Sequence, residues 1–336
     1  MTSRIKSLKI AVLGDGGWGT TLALLLDNKG FRVTLWGAFE DYVSYLKAKR
    51  VNTRFLPGVR LPASLNITSD LKAALEGKDL IVLAVPSQYM RRVLKKIKKC
   101  GRAGSAMYLS VIKGVEAGSL KRMSEVIREE LGRLRLGVLS GPTIAHEVAR
   151  GIPTAAVIAS PDRKLRRRLQ DIFMTPRLRI YTNDDVAGVE LGGSLKNVIA
   201  IACGISDGLG FGTNTKAAIL SRGLAEISRL GKKMGAKAAT FGGIAGLGDL
   251  VTTCTSPYSR NRFVGERIGK GEPLRKITSK MRMVAEGVIT AKSAYALSLR
   301  HKVDTPITRE VYRVLYRNKP PLRAVRDLMM RQRKEE

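Results

Sequence analysis

Short apolar runs alternate with helical periodicities along the first half of the chain, and in the second half the runs stop. Leu8–Leu13, Phe31–Trp36, Leu80–Val85, Ala106–Ser110, Leu136–Leu139 and Thr154–Ser160 are continuous or nearly continuous apolar stretches. That is how strands buried on both faces of a parallel sheet read. Helical spacing, such as Leu22, Leu25 and Leu26, fills the intervals. The alternation predicts a doubly wound α/β sheet. Past about Asn183 helical patterns run on to Leu328, broken by glycine-rich turns at Gly208–Gly212, Gly242–Gly248 and Gly269–Gly271. The expected organisation is an α/β domain over residues 1–185 and an all-α domain over residues 186–336.

The stretch from Val186 to Gly210 carries the least expected residue. Thr182-Asn183-Asp184-Asp185 offers its start, a cap-competent hydroxyl followed three residues later by a carboxylate. Val189, Val198, Ile199, Ile201, Ala202 and Ile205 then suit a largely buried helix. Lys196 and Asn197 lie in its middle, with Gly192, Gly193, Ile199, Ala200 and Cys203 one turn away. A lysine desolvated there would have its pKa lowered towards neutrality, as a proton donor and acceptor requires. A lysine snorkelling at the edge of a core helix is the plainer reading. This stretch alone leaves both open.

The first strand ends at Gly14-Asp15-Gly16-Gly17-Trp18-Gly19 and a helix follows. Strand before and helix after is the setting in which G-x-G-x-x-G binds a dinucleotide, making the first domain Rossmann-like. Gly14 would make the tight turn, Gly16 would admit the pyrophosphate, and Gly19 would let helix and strand pack. The helix N-terminus would face the diphosphate. The acidic residue expected at the end of the second strand is missing: Gly37 and Ala38 stand there, with Glu40 and Asp41 slightly late. No arginine stands there either, so NAD and NADP both remain open.

Charge is the unusual feature. Of 336 residues, 60 are Lys or Arg and 28 Asp or Glu, a formal +32. Nucleic acid is the first partner that such a balance brings up. The basic residues, however, are scattered in helical stretches, aromatics make up 5%, and no recognition motif accompanies them. A solvated basic surface that incidentally attracts polyanions is the better account, with no specific nucleic-acid partner, and it would also steer small anionic substrates. No apolar run approaches the roughly 18–20 residues that cross a bilayer, so no membrane span is expected. Cys100, Cys203 and Cys254 have no metal spacing. They read as free thiols in a reducing cytoplasm, with no metal.

Further candidates follow the strands and turns. Lys113 lies just past a strand end, Ser140-Gly141-Pro142-Thr143 opens a helix, and Gly246-Leu247-Gly248-Asp249 sets a carboxylate in a glycine-rich turn. That aspartate could equally cap the turn. Ser259-Arg260-Asn261-Arg262 offers a guanidinium fork for phosphate, with neutral donors beside it. Glu286-Gly287 could touch a cofactor amide or cap a helix. His146 and His301 have no partner spacing and read as structural.

Taken together, the motifs GDGGWG, AVPSQ, KGVE, SGPTIAHEVARGIPTA, GVELGGSLKNVIAIACGISDGLGFGTNTKAAILSRGLAE, GLGDLVTTCTSPYSRNR, AEGV and TPIT stand in an order that resembles the NAD(P)-dependent glycerol-3-phosphate dehydrogenases of the bacterial single-chain type. The resemblance runs from Ile10 to about Leu315. It implies an oxidoreductase interconverting dihydroxyacetone phosphate and sn-glycerol 3-phosphate with NAD or NADP, supplying phospholipid synthesis. It also implies a cytoplasmic homodimer. By the same resemblance Lys196 is the catalytic proton donor and acceptor, supported by Asp249, with Lys113 near substrate and nicotinamide. Gly141, Thr143, Asn197, Thr253, Ser259, Arg260 and Asn261 match substrate-site positions. Gly17, Trp18, Ala145, Arg260 and Glu286 match cofactor contacts, beside Gly14, Gly16 and Gly19. Three features depart from the family: Ala38 replaces a basic or polar residue, Asp15 a small neutral one, and Val111-Ile112 small and hydroxyl residues. Two other readings stand beside this one, a sibling dehydrogenase for another hydroxy acid or sugar acid, and a basic binding module that has lost catalysis.

Overall fold

The computed structural model describes residues 7–101, 104–281, 283–333 and 335. The chain divides into two compact units, Met1–Lys113 with Lys121–Glu190, and Gly114–Leu120 with Leu191–Glu336.

The first unit is built on an eight-stranded sheet of order β3-β2-β1-β4-β5-β6-β7-β8. Its strands are β1 (Lys9–Leu13), β2 (Arg32–Trp36), β3 (Asn66–Thr68), β4 (Leu80–Leu83), β5 (Met107–Ser110), β6 (Arg135–Ser140), β7 (Thr154–Ala159) and β8 (Leu178–Asn183). Both faces are covered. Ile10 and Val12 of β1, with Leu80 and Val82 of β4, join one apolar cluster; Ala11, Leu13, Ile81 and Leu83 join the other. Successive side chains on a strand point to opposite faces, so only an unbroken apolar run can supply two cores at once. The helices over the first face include α1 (Gly17–Asn28) and α2 (Glu40–Lys49); those over the second include α3 (Leu71–Leu75), α4 (Met90–Lys99) and α5 (Met123–Leu131). A short α6 (Ala145–Ala149) follows β6, and α7 (Arg163–Phe173) joins β7 to β8.

Two expectations are corrected here. The sheet is not parallel throughout, because β7 runs antiparallel to β6, pairing Val138 with Ala159 and Ser140 with Val157, and β8 then runs parallel to β7. Two strands also went unread. β3 has only three residues. β8 alternates buried and exposed positions, as an edge strand with one solvated face does, so it offers no apolar run.

Beyond the sheet the chain is helical among the described residues: α8 (Val186–Gly208), α9 (Thr213–Lys233), α10 (Ala238–Gly242), α11 (Asp249–Thr255), α12 (Arg260–Gly269), α13 (Leu274–Lys280), α14 (Glu286–Arg300), α15 (Pro306–Tyr316) and α16 (Pro321–Met329). The start of α8 differs from the reading of the sequence. Thr182 belongs to β8, and the cap is Asp185, whose Oδ1 accepts from the Gly188 N–H at 2.8 Å. The length and composition of α8 also exceed what a count of unbroken apolar runs revealed. It is long and apolar enough to cross a membrane, with mean hydropathy 1.3, yet 89% of that window is buried inside the protein. It is a core helix.

Helices α8 and α12 approach almost backbone to backbone. A Cβ on Gly204 would stand 2.0 Å from the Arg262 carbonyl oxygen, and one on Gly265 would stand 2.1 Å from that of Ile201. Gly208 and Gly269 repeat the contact one turn on. The start of α15 is held by a side chain from α9: the buried Glu226 carboxylate accepts from the Ile307 N–H at 2.6 Å and from the N–H and hydroxyl of Thr308, each at 3.1 Å.

Candidate active site

The glycine turn follows β1 as its spacing predicts. The Gly14 N–H donates to the Trp36 carbonyl at 2.9 Å, and Gly14 has φ +125°. A Cβ on Gly14 would fall 2.6 Å from the Ala84 carbonyl oxygen, and one on Gly19 would fall 1.9 Å from that of Gly14. Only glycine lets these backbones meet. Around the Cβ position of Gly16, by contrast, no heavy atom lies within 4 Å. Gly16 is also the N-cap of α1 and supplies no side-chain hydrogen bond to it. An open glycine before uncapped helix N–H groups is what a diphosphate needs, so these residues fit a dinucleotide. Trp18 packs against the core beside them, with its indole Nε1 buried and unpartnered.

The turn's second shoulder is held by a residue that sequence reading missed. Asn52 is fully buried and donates from Nδ2 to the Asp15 carbonyl and to Thr20 Oγ1, both at 2.8 Å. Its Oδ1 accepts from the Tyr42 hydroxyl at 2.7 Å and the Phe55 N–H at 3.1 Å. A single asparagine in an otherwise unpatterned loop gives no signal in the sequence.

The strand-end candidates of this unit converge. Lys113 donates from Nζ to the Gly141 carbonyl at 2.7 Å and to Thr143 Oγ1 at 3.2 Å. Ala145 opens α6 beside the glycine turn: a Cβ on Gly17 would lie 3.6 Å from the Ala145 Cβ, and Thr21 Oγ1 donates to the Ala145 carbonyl at 3.1 Å.

In the helical unit Lys196 lies inside α8, only 4% exposed. Its ammonium is ion-paired with Asp249 and donates to Thr253 Oγ1 at 2.5 Å. The Thr253 hydroxyl in turn donates to the Asp249 carbonyl at 2.7 Å. Lys196 therefore does not snorkel. Nor does Asp249 cap a turn: it is 1% exposed and opens α11 directly after a π turn, Ile244–Gly248. Such turns recur at functional sites because they re-aim the residue that follows.

A second polar pair lies next to Lys196 in sequence. Asn261 of α12 donates from Nδ2 to Asn197 Oδ1 at 2.9 Å, and its own Oδ1 accepts from the Gly287 N–H at 2.9 Å. The close approach of α8 and α12 makes this possible. The proposed phosphate group is more dispersed than its sequence suggests. Arg262 is ion-paired from Nε to Asp207 Oδ2 at 2.6 Å and is not available as a second guanidinium. Ser259 is the N-cap of α12, its hydroxyl accepting from the Arg262 N–H at 3.2 Å. Arg260 is exposed by area and donates from Nη1 to the Val284 carbonyl at 2.7 Å, yet the protein packed around it desolvates the guanidinium and lowers its pKa, against the charge of Glu286. Glu286 opens α14 without capping it.

Among the described residues no group of His, Cys, Asp and Glu could hold a metal ion, and the three cysteines are free.

Comparison with known proteins covers both units. Residues 9–166 match the family model for the N-terminus of NAD-dependent glycerol-3-phosphate dehydrogenase, and residues 185–326 match the model for its C-terminus. The chain is 52% identical over 331 residues to the glycerol-3-phosphate dehydrogenase [NAD(P)+] of Geobacter metallireducens, covering 98% of each. It is 50% identical to that of Geobacter sulfurreducens, covering 98% of this chain and 99% of the relative. The crystal structure of glycerol-3-phosphate dehydrogenase from Coxiella burnetii superposes with a TM-score of 0.94 at 41% identity, over 97% of this chain and all of that one. The chain belongs to the NAD-dependent glycerol-3-phosphate dehydrogenase family.

Proposed function

We propose that this chain interconverts dihydroxyacetone phosphate and sn-glycerol 3-phosphate, using NADH or NADPH as the reductant. The observation that carries the reading is the buried Lys196–Asp249–Thr253 group, found in a chain whose other unit holds an open, uncapped glycine turn. When bound, the nicotinamide supplies the hydride to the carbonyl carbon. Lys196 gives a proton to the oxygen that becomes negative as the hydride arrives, and takes it back in the reverse direction. Asp249 and Thr253 hold the ammonium in place. Lys113 and Asn197 supply further donors to that oxygen. Arg260 and Asn261, with Ser259, bind the phosphate, and the energy of that contact orients the reacting carbon. Thr143 and Gly141 line the substrate side of the glycine-turn unit; Trp18, Ala145 and Glu286 contact the cofactor.

On this reading residues 1–185 form the dinucleotide-binding domain and residues 186–336 the catalytic one. A homodimeric cytoplasmic enzyme feeding phospholipid synthesis is carried over from the family resemblance. The high positive charge serves to attract two anionic substrates.

Loss of absorbance at 340 nm with dihydroxyacetone phosphate, followed separately with NADH and NADPH, tests the reaction. Turnover with either cofactor, abolished in Lys196→Ala, is expected. A folded, cofactor-binding protein that turns over with neither would exclude this substrate.

A further inference from the structure

The end of β2 lacks the carboxylate that usually receives the adenosine ribose, and the structure places one there from the glycine turn that follows β1. Gly37 follows β2 directly. A Cβ built on it would lie 2.6 Å from Asp15 Oδ2, 2.9 Å from Asp15 Cγ and 2.7 Å from Val43 Cγ2. The Asp15 carboxylate thus fills the space in which a side chain at position 37 would begin. A side chain at position 37 would have to displace the Asp15 carboxylate and the Val43 side chain, so the glycine leaves this place to Asp15. The backbone fixes this arrangement from both sides: Gly14 donates to the Trp36 carbonyl, Asn52 Nδ2 to that of Asp15, and the Gly37 N–H to the Thr68 carbonyl at 3.0 Å.

Asp15 Oδ2 is buried and has no hydrogen-bond partner. A buried acceptor left empty is costly and is relieved by any donor that reaches the carboxylate. Asp15 as a residue remains partly accessible. Burial raises its pKa, while its own backbone N–H and the charge of Arg54 act the other way. Arg54 acts on it through charge while lying over the Tyr42 ring, 4.2 Å from the centroid.

We infer that Asp15 is the residue that sets cofactor preference, taking the role of the absent β2 acid: its carboxylate favours the two ribose hydroxyls of NADH and disfavours the 2′-phosphate of NADPH. The inference rests on the dinucleotide reading of the glycine turn. Exclusion acts through charge, so it needs no contact with the phosphate. A phosphate at the 2′ position either sits beside a poorly solvated carboxylate or forces it to take up a proton, and both weaken binding.

The test is equilibrium binding of NADH and NADPH to the full chain at one fixed ionic strength, by calorimetry, for the wild type, Asp15→Asn and Asp15→Ala. Since Asn52 holds the backbone carbonyl of residue 15, neither substitution removes that anchor. The wild type is expected to bind NADH at least about tenfold more tightly than NADPH. Both variants should shrink the ratio of the two constants towards one, chiefly by tightening NADPH. Equal binding of the two cofactors by the wild type, or a preference for NADPH, would overturn the inference and give the lead to Arg54. So would variants that weaken both cofactors in proportion, the mark of a merely structural residue. A folded wild type that binds neither cofactor would instead refute the dinucleotide reading itself.

Discussion

The Asp249 carboxylate meets the Lys196 ammonium across 53 residues of chain, with the two side chains 1% and 5% exposed. Lys196→Ala should lower kcat by roughly 10² to 10⁴ while leaving the dissociation constant of NADH unchanged. It also strands a buried carboxylate, at a cost of about 3–5 kcal/mol in stability. The double variant Lys196→Met/Asp249→Asn should regain most of that stability and none of the turnover. Recovery of turnover in the double variant would remove the lysine from proton transfer.

Arg260 is the exposed cation of its group, since Arg262 is tied to Asp207. Arg260→Ala should raise KM for the phosphate substrate roughly 10- to 100-fold, the worth of one charged hydrogen bond. Arg262→Ala should act on stability instead. If KM responded to Arg262 and not to Arg260, the assignment would have to be reversed.

Asn261 donates one amide hydrogen to Asn197 and accepts the Gly287 N–H, which leaves its second amide hydrogen for the phosphate. Asn261→Ala leaves a buried donor and a buried acceptor empty, at about 1–3 kcal/mol each. Asn261→Asp keeps an acceptor for Gly287 but presents no donor to Asn197. Urea midpoints should therefore rank wild type above both variants, with kcat falling further than stability alone explains.

Glu226 gives the protein a pH dependence. Desolvation pushes its carboxyl up to about 6 from 4.5, against the N–H and O–H groups of Ile307 and Thr308 that lower it. Because the native state holds a proton that the unfolded chain releases, stability contributed by this group is greatest below pH 4.5. It declines as pH rises towards about 6. The decline is on the order of 1–2 kcal/mol. Glu226→Gln should abolish this slope, so the difference between the two midpoint-versus-pH curves isolates it. Parallel curves would refute the assignment.

The sheet was legible where both faces are buried, because Leu80–Leu83 and Ile10–Leu13 must be apolar at every position to serve two cores. It was illegible where one face is wet, as at β8, or where a strand is three residues long, as at β3. Reversal at β7 left no trace, since direction is set by pairing and not by composition. At the site, the glycine turn and Lys196 could be picked out because each breaks a local rule, glycine clustered after a strand and charge within an apolar helix. Their partners could not. Asp249 reads as a turn residue until its contact with Lys196 is known, Arg262 reads as a phosphate ligand until Asp207 claims it, and Asn52 reads as nothing at all.

The contact between α8 and α12 has a bearing on how this enzyme can be altered. Gly204, Gly208, Gly265 and Gly269 have no side chain with which to do chemistry, yet each is closed to even a methyl group by a facing carbonyl or backbone. A mutational library aimed at new substrates through Asn197, Arg260 or Asn261 therefore needs these four codons frozen. Randomising them along with the site would fill the library with clones that fail before any substrate is offered.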